Sequence, residues 1–352
     1  MQLSHQLASE ALLRQRSEIV AALDGRAAPS GEGTDKSGGE ASLQVAGDDL
    51  PFLAQALALN SRALFTDYVA WAKVVLGRRQ VADSALARHL ETLAAVLRER
   101  LPAELGALAA EFVGAAVQAM PAMPEDLPTF LHEGAPLSPL AHQYFEALRR
   151  GERHLASRLV LESVAAGTPV KEIYLNVFQP AQYEIGRLWQ TNRITVAQEH
   201  YCTAATQLIM SQLYPHIFAT AKHGRTLVAT CVAGDLHEIG VRMVADFFEM
   251  EGWNTFYLGA NTPASSVVST VVERSADVLA ISATISHHTE AVRDLIQAVR
   301  NHPGTRHVKI LVGGFPFNRD ADLWRKIGAD GSARDAQRAI TLADQIVRET
   351  KP

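Results

Sequence analysis

The sequence has few cysteines, no excess of positive charge and no long apolar run. Only Cys202 and Cys231 are cysteines among 352 residues, which argues against a disulfide framework and predicts a reducing, cytoplasmic location. We find no segment close to the roughly twenty apolar residues that a membrane-spanning helix needs, and no apolar signal region at the N-terminus. A net charge of −5 without a Lys/Arg-rich run argues against direct binding to nucleic acid.

The pattern of apolar residues predicts a multidomain α and α/β protein. Helical spacing dominates the first two thirds, and strand and helix patterns alternate after residue 225. Residues 2–24 are predicted to form one amphipathic helix that ends at Gly25. The predicted segments are an N-terminal helix with a flexible linker (1–49), a helical domain (50–120), a Pro-rich linker (121–139), a four-helix cap bundle (140–220) and a five-stranded doubly wound domain (225–352).

One loop, Gly234 to Gly240, has the composition of a ligand site. An apolar run from Leu227 to Val232 precedes it and a helical pattern follows, so His237 is expected at the carboxyl edge of a parallel sheet, where ligands bind. A zinc protease would need a second His where Val241 stands, and a phosphate loop would need more glycines and a Lys. What remains is Asp-x-His-x-x-Gly, in which Asp235 could fix the imidazole that faces a metal. The alternative is an exposed loop histidine.

Two further motifs end predicted strands at the same edge. Ser282-Ala283-Thr284 follows one apolar run, and Gly313-Gly314 closes the next. Together with the first loop they resemble the cobalamin-binding domain shared by methionine synthase, corrinoid methyl carriers, adenosylcobalamin mutases and light-sensing carotenoid repressors. The family pattern is DxHxxG, SxL and GG. Thr284 in place of Leu is the one departure.

This resemblance implies a role for each motif residue. His237 would be the lower axial ligand of cobalt, in place of the cofactor's own dimethylbenzimidazole base, and Asp235 would orient it. Gly240, Gly313 and Gly314 would leave room for the released nucleotide tail, because glycine permits close backbone approach. The Ser282 hydroxyl would bind the buried base, with Thr284 in the same segment.

The predicted cap carries a second resemblance. Thr195-x-x-Gln198 is a capping box that opens the fourth helix of the bundle, so Trp189, Glu199 and His200 should gather at one end. Trp-x9-Glu-His resembles the cap of adenosylcobalamin photoreceptors, in which these residues surround the adenosyl group. Where the carotenoid repressors place a His after the Trp, this chain has Gln190. A core Trp beside a solvated Glu-His pair is the alternative.

The helical domain at residues 50–120 has two interpretations. It is either a dimerisation module or a pocket for a flat anionic pigment. The layout resembles the photocobilins, which hold biliverdin beside cobalamin, and any attachment would be noncovalent because residues 1–201 contain no Cys. The residues that could serve such a pigment are aromatic or basic: Phe65, Tyr68, Trp71, Arg78, Arg79 and His89.

Three functions follow from these resemblances. The favoured one is a photoreceptor with adenosylcobalamin as cofactor, signalling through a conformational change or a light-dependent homo-oligomer to a downstream protein. The alternative is a corrinoid carrier for a methyltransferase system, and the third is the cobalamin subunit of a mutase. We expect no catalytic residues, no enzyme activity of the chain itself, and no membrane partner.

Overall fold

The structure is a computed structural model that describes residues 2–26 and 49–348. Nearly all of the linker predicted for residues 25–49 lies outside the described residues. The chain forms two compact units. The first comprises Met1–Leu127, Ile285–Glu290 and Phe315–Ile327; the second comprises Pro128–Thr284, Ala291–Gly314 and Gly328–Pro352.

The first unit is helical, as the apolar spacing predicts. Two predicted helices are each divided in the structure: the one over 2–24 at Gln15, and the one over 50–76 at Asn60, whose φ of 47° no helix accommodates. The helices of its N-terminal part are Gln2–Arg14, Arg16–Arg26, Asp49–Ala58, Arg62–Arg78, Asp83–Arg100 and Ala103–Ala119, followed by a 3₁₀ turn at Met120–Ala122.

Two segments from later in the chain complete the first unit. Ser286–His288 packs against helix Asp49–Ala58. Helix Phe315–Arg319 contacts Arg62–Arg78, and Arg319 Nη2 lies 2.6 Å from Asp67 Oδ1. Nothing in the local sequence pattern predicts that these segments join the N-terminal helices.

One helical stretch, Ala103–Ala122, is long and apolar enough to cross a membrane, contrary to the expectation from the sequence. Buried helices of globular proteins have the same length and composition. Phe112 and Val113 are fully buried in the first unit. A Cβ on Gly106 would lie 2.6 Å from the Leu97 carbonyl oxygen, so this helix meets Asp83–Arg100 backbone to backbone. Packing between helices therefore explains its apolar character.

The second unit begins with the cap bundle, which has helices where the sequence predicts them. They are Ser138–Arg149, Arg153–Ala165, Val170–Gln190 and Val196–Gln212, with a short Tyr214–Ile217. The third helix widens to a π-turn at Tyr174–Phe178. Pro180 follows directly and has no N–H for the Asn176 carbonyl, which favours this local widening.

The second half of this unit confirms the predicted five-stranded doubly wound sheet. The strands are β1 Thr226–Val232, β2 Asn254–Thr262, β3 Val278–Ser282, β4 Lys309–Gly313 and β5 Gly331–Ser332. All described pairings are parallel, and the order is β2-β1-β3-β4-β5. The helices of this half are Ile239–Met250, Ala264–Glu273, Thr289–Asn301 and Ala336–Arg348; the chain between β4 and β5 also contains Phe315–Arg319 and Leu323–Lys326, which belong to the first unit.

This strand order positions the site. The chain leaves β1 towards β2 on one side, whereas β3 lies on the other side, so the loops after β1 and β3 diverge at a topological switch point. Ligands of open α/β sheets bind in the crevice formed there. All seven residues of β1 are buried, as expected for a central strand covered on both faces.

Candidate functional site

A buried aspartate joins the loops that follow β1 and β3. Asp235 has no exposed surface. Its Oδ1 accepts hydrogen bonds from the His237 backbone N at 3.0 Å and from His237 Nδ1 at 2.8 Å, and its Oδ2 accepts one from Thr284 N at 2.9 Å. Burial raises the pKa of Asp235, but these hydrogen bonds outweigh it and leave the pKa below its ordinary value. The carboxylate is therefore held ionised across the switch point.

His237 is bound on one side and open on the other. Its Nδ1 is paired with Asp235, which leaves Nε2 as the nitrogen available to a metal. The side chain is 45% exposed, against 0% for that of Asp235. The hydrogen bond to Asp235 raises the pKa of His237 above its ordinary value, against the lowering effect of burial. A carboxylate that holds the second ring nitrogen orients a metal-ligating histidine and increases its basicity.

Three residues of β2 that the sequence analysis missed, Tyr257, Ala260 and Asn261, hold this loop in place. Glu238 Oε2 accepts hydrogen bonds from Tyr257 Oη at 2.9 Å and from Ala260 N at 3.2 Å. Asn261 Oδ1 accepts one from Gly234 N at 2.8 Å. These partners belong to β2, about twenty residues further along the chain, and no local motif signals them.

The other motif residues lie on the adjoining strand ends. Ser282 ends β3 in register with Gly313 at the end of β4. Gly314 has φ 104°, and a Cβ there would lie 2.0 Å from the Ala283 carbonyl oxygen, so only glycine fits. At Gly240, by contrast, no protein atom lies within 4 Å of an added Cβ. Packing within the chain therefore requires Gly314, but it does not require Gly240.

The Thr284 departure from the family pattern has a structural explanation. The backbone N–H at position 284 makes the contact with Asp235, and every residue type except proline supplies that group. The side chain that differs from the family pattern plays no part in this hydrogen bond.

The predicted capping box at the start of helix Val196–Gln212 is present in the structure. Thr195 accepts from Gln198 N, and the Gln198 side chain accepts from Thr195 N. Glu199 binds His200 Nδ1 at 2.6 Å and Thr203 Oγ1 at 2.8 Å. Glu199 also contributes to the raised pKa of His237, so its charge lies within electrostatic reach of the loop. Trp189 is 44% exposed at the end of its helix, and it is therefore not a core residue of the bundle.

Three of the six residues proposed for a pigment pocket, Phe65, Tyr68 and His89, are occupied in packing or hydrogen bonds within the first unit, whereas Arg78 and Arg79 are exposed. Phe65 and Tyr68 are buried, and Tyr68 stacks on Phe52 with ring centroids 4.2 Å apart. Tyr68 Oη and His89 Nε2 both bind Asp49, at 2.7 and 2.6 Å. These side chains form an internal network of the first unit.

The donor set fits a metal whose other ligands come from a macrocycle. Within residues 2–26 and 49–348, no group of three or more His, Cys, Asp or Glu side chains could hold a metal ion. A single accessible imidazole with a buried carboxylate behind it would suit a metal whose remaining ligands are supplied by a corrin. The glycine-lined strand ends are compatible with a cofactor tail. This fold and donor set define a cofactor-binding α/β protein with a helical cap.

Comparison with known families identifies the cofactor class. A family described as "B12 binding domain" matches residues 225–341, and a second family with the same description matches residues 140–214. The chain is therefore a cobalamin-binding protein, in which the second match coincides with the helical cap.

Known relatives are corrinoid proteins. The chain is 25% identical over 215 residues to dimethylamine corrinoid protein 3 of Methanosarcina acetivorans, covering 60% of this chain and 99% of the relative. It is 28% identical over 171 residues to a corrinoid protein of Desulfitobacterium hafniense, covering 46% and 76%. The solved monomethylamine corrinoid protein of Methanosarcina barkeri superimposes with a TM-score of 0.54 at 21% identity, covering 60% of this chain and 99% of that one. That likeness supports the fold.

These findings contradict the favoured photoreceptor interpretation. The relatives carry the names of methylamine and other corrinoid proteins, and they match the carrier alternative instead. The cap resemblance was insufficient to identify the function because it rested on three residues, Trp189, Glu199 and His200. The names of the relatives also give no support for light sensing, a light-dependent oligomer or a downstream signalling protein. They give none for biliverdin either.

Proposed function

We propose that the chain is a corrinoid carrier protein that holds cobalamin on His237 and serves a methyltransferase system. The observation that carries this proposal is the Asp235–His237 pair, which is fixed at the β1/β3 switch point and leaves the imidazole's Nε2 side open. The names of the dimethylamine corrinoid relatives support the choice among cobalamin functions.

The chain's own residues would hold the cofactor from below. Bound cobalamin supplies a cobalt that accepts and gives up a methyl group. His237 Nε2 would face the lower side of that cobalt, while Asp235 keeps the Nδ1 proton. Gly240, Gly313 and Gly314 would line the path of the nucleotide tail, and Ser282 would bind its base. Because Gly240 meets no protein atom, a passing ligand is a sufficient reason for glycine there.

The cap would face the upper side of the cofactor. Glu199 lies within electrostatic reach of His237, and exposed Trp189 ends the neighbouring helix. In a carrier this side must be opened to partner methyltransferases, which would do the catalysis; the chain itself would have no catalytic residue. Homo-oligomerisation stays a prediction.

Reconstitution tests the lower ligand. Protein loaded with cob(II)alamin should show nitrogen splitting in its electron paramagnetic resonance spectrum that changes when histidine is labelled with ¹⁵N. The cofactor's own base carries no label, so the change reports a protein ligand. His237→Ala should abolish the change, whereas His216→Ala, which removes an exposed histidine from the same unit, should leave it intact. A label-independent splitting in wild type would refute ligation by His237.

The upper ligand is tested by comparing cofactors. A methyl carrier should bind methylcobalamin at least as tightly as adenosylcobalamin, the cofactor expected from the cap resemblance. Equilibrium titration of the two on the same preparation measures the ratio. A strong preference for adenosylcobalamin that disappears in Trp189→Ala would contradict the carrier proposal.

A further inference from the structure

Glu238, directly after the proposed cobalt ligand, does not cap the helix that it precedes. It occupies the N-cap position of Ile239–Met250, where an acidic side chain commonly accepts hydrogen bonds from its own helix. Here no such bond forms. Both carboxylate oxygens are directed to other elements instead, so the side chain has a different structural task.

The two oxygens of Glu238 join three elements. Oε2 accepts from Tyr257 Oη and Ala260 N, which belong to β2. Oε1 accepts from Gln207 Nε2 at 2.5 Å, and Gln207 lies on the cap helix Val196–Gln212. Hydrogen bonds to an ionised acceptor are stronger than those between neutral groups. The loop that carries His237 is therefore tied to the sheet and to the cap through one residue.

A second contact holds the same cap residue. Arg242, one helical turn after Glu238, donates to the Gln207 carbonyl at 3.3 Å, to Ser211 Oγ at 2.8 Å and to Tyr214 Oη at 3.0 Å. Gln207 is thus bound through both its side chain and its backbone. The cap helix is fixed on the helix that begins beside His237.

The contact at Gln207 also constrains Glu199 and His200, which lie on the same helix. Glu199 precedes Gln207 on the same helix by eight residues, about 12 Å at the rise of an α-helix. A rigid helix held at Gln207 therefore determines how Glu199 and His200 stand relative to His237.

We propose that Glu238 is a positioning residue that latches the cap to the loop of the proposed cobalt ligand through its hydrogen bond with Gln207. The latch sets the distance between the cap and His237, and opening of the cap requires that this bond break. The consequence for cobalt ligation rests on the proposed function, whereas the latch itself can be tested without cofactor.

Hydrogen exchange on the cobalamin-free protein tests the latch. Gln207→Ala should speed amide exchange across residues 196–212 by about tenfold, the equivalent of one hydrogen bond to a charged group. Gln212→Ala is the matched control, because Gln212 binds Ser157 within the cap and does not touch the loop. Equal exchange in the two variants would overturn the latch.

A reciprocal exchange of side chains separates positioning from general stability. Gln207→Glu places two carboxylates face to face and should open the cap, whereas Glu238→Gln should be mild because the Gln207 amide can turn to accept. The double variant Gln207→Glu, Glu238→Gln restores one donor and one acceptor. It should return exchange at residues 196–212 to the wild-type rate, and failure of this rescue would overturn the specific pairing.

The link to His237 has its own readout. In protein loaded with cob(II)alamin, Gln207→Glu should lower the fraction of His-ligated cobalt in the resonance spectrum, and the double variant should restore it. An unchanged spectrum together with altered exchange would refute the coupling to His237. Wild-type protein that binds no cobalamin would refute the proposed function, while the exchange result would still decide the latch.

Discussion

The two units each contain a buried aspartate that binds a histidine, but the surroundings of the two pairs differ. Asp49 binds His89 and the hydroxyl of buried Tyr68, all on helices of the first unit, and the His89 side chain is 20% exposed. Asp235 binds His237 and a backbone N–H from another loop, and His237 is 45% exposed at a sheet edge.

The comparison shows what turns an Asp–His pair into a candidate ligand site. A pair enclosed by side chains satisfies the polar groups of a helical core. A pair whose carboxylate is bound by backbone N–H groups at a strand switch point is fixed where ligands of such sheets bind, and its histidine stays partly exposed. Residue types alone do not distinguish the two.

The largest effect is expected from crowding the backbone that supports the Asp235 pair. The Ala283 carbonyl and the Thr284 N–H belong to one peptide unit, and a Cβ on Gly314 would lie 2.0 Å from that carbonyl. Gly314→Ala should cost roughly 2–5 kcal/mol of stability from steric overlap and the positive φ. Denaturant unfolding measures the loss.

Gly240→Ala provides the contrast on the same edge. No protein atom is near its added Cβ, so the cobalamin-free protein should keep its stability or gain up to about 1 kcal/mol from better helix propensity. Cobalamin should nevertheless bind more weakly. Equal cobalamin binding by this variant and wild type would show that the nucleotide tail does not pass Gly240.

Asp246, a buried aspartate that is not paired with a histidine, should give the next largest effect on stability. Burial raises the pKa of Asp246 to about 6; Tyr174 and Arg242 lower it in part, and Glu249 adds to the rise. Because the folded-state pKa exceeds the ordinary 3.8, stability from this group is present below about pH 4 and is lost as the pH rises through about 6. Asp246→Asn should therefore stabilise the protein above pH 6, by at most about 3 kcal/mol.

Unfolding curves of this variant and wild type at several pH values measure that difference, which should vanish near pH 4. Asp294→Asn is the control, since that aspartate is 65% exposed. A constant difference across the pH range would show that folding leaves the pKa of Asp246 unshifted.

Matched substitutions of the two aspartates should separate the two pairs directly. Asp235→Asn replaces an acceptor with a donor that opposes either Thr284 N–H or the His237 donors, and it should weaken cobalamin binding roughly 10–100-fold. Asp49→Asn should cost roughly 1–3 kcal/mol of stability in the first unit without altering cobalamin affinity. Titration and unfolding of both variants check this. Loss of cobalamin binding in Asp49→Asn would contradict the assignment of the ligand site to the Asp235–His237 pair alone.

The sequence by itself determined the local elements and the central motif. The buried run before Gly234, the capping box at Thr195 and the helical spacing of the cap each depend on neighbouring residues, and all are found in the structure. Asp-x-His-x-x-Gly placed His237 at a strand end because its partner, Asp235, is only two residues away. A likeness of three cap residues, by contrast, was insufficient to choose between cobalamin functions.

Only the tertiary structure decided which distant groups support that motif. Asp235 meets the N–H of Thr284 across 49 positions, and Glu238 meets Gln207 across 31. It also brought Ile285–Glu290 and Phe315–Ile327 into the first unit with the N-terminal helices. Hydrophobic periodicity reports only which face of an element is buried. Contacts between remote segments depend on strand order and helix packing, which fix the backbone groups that a side chain can reach.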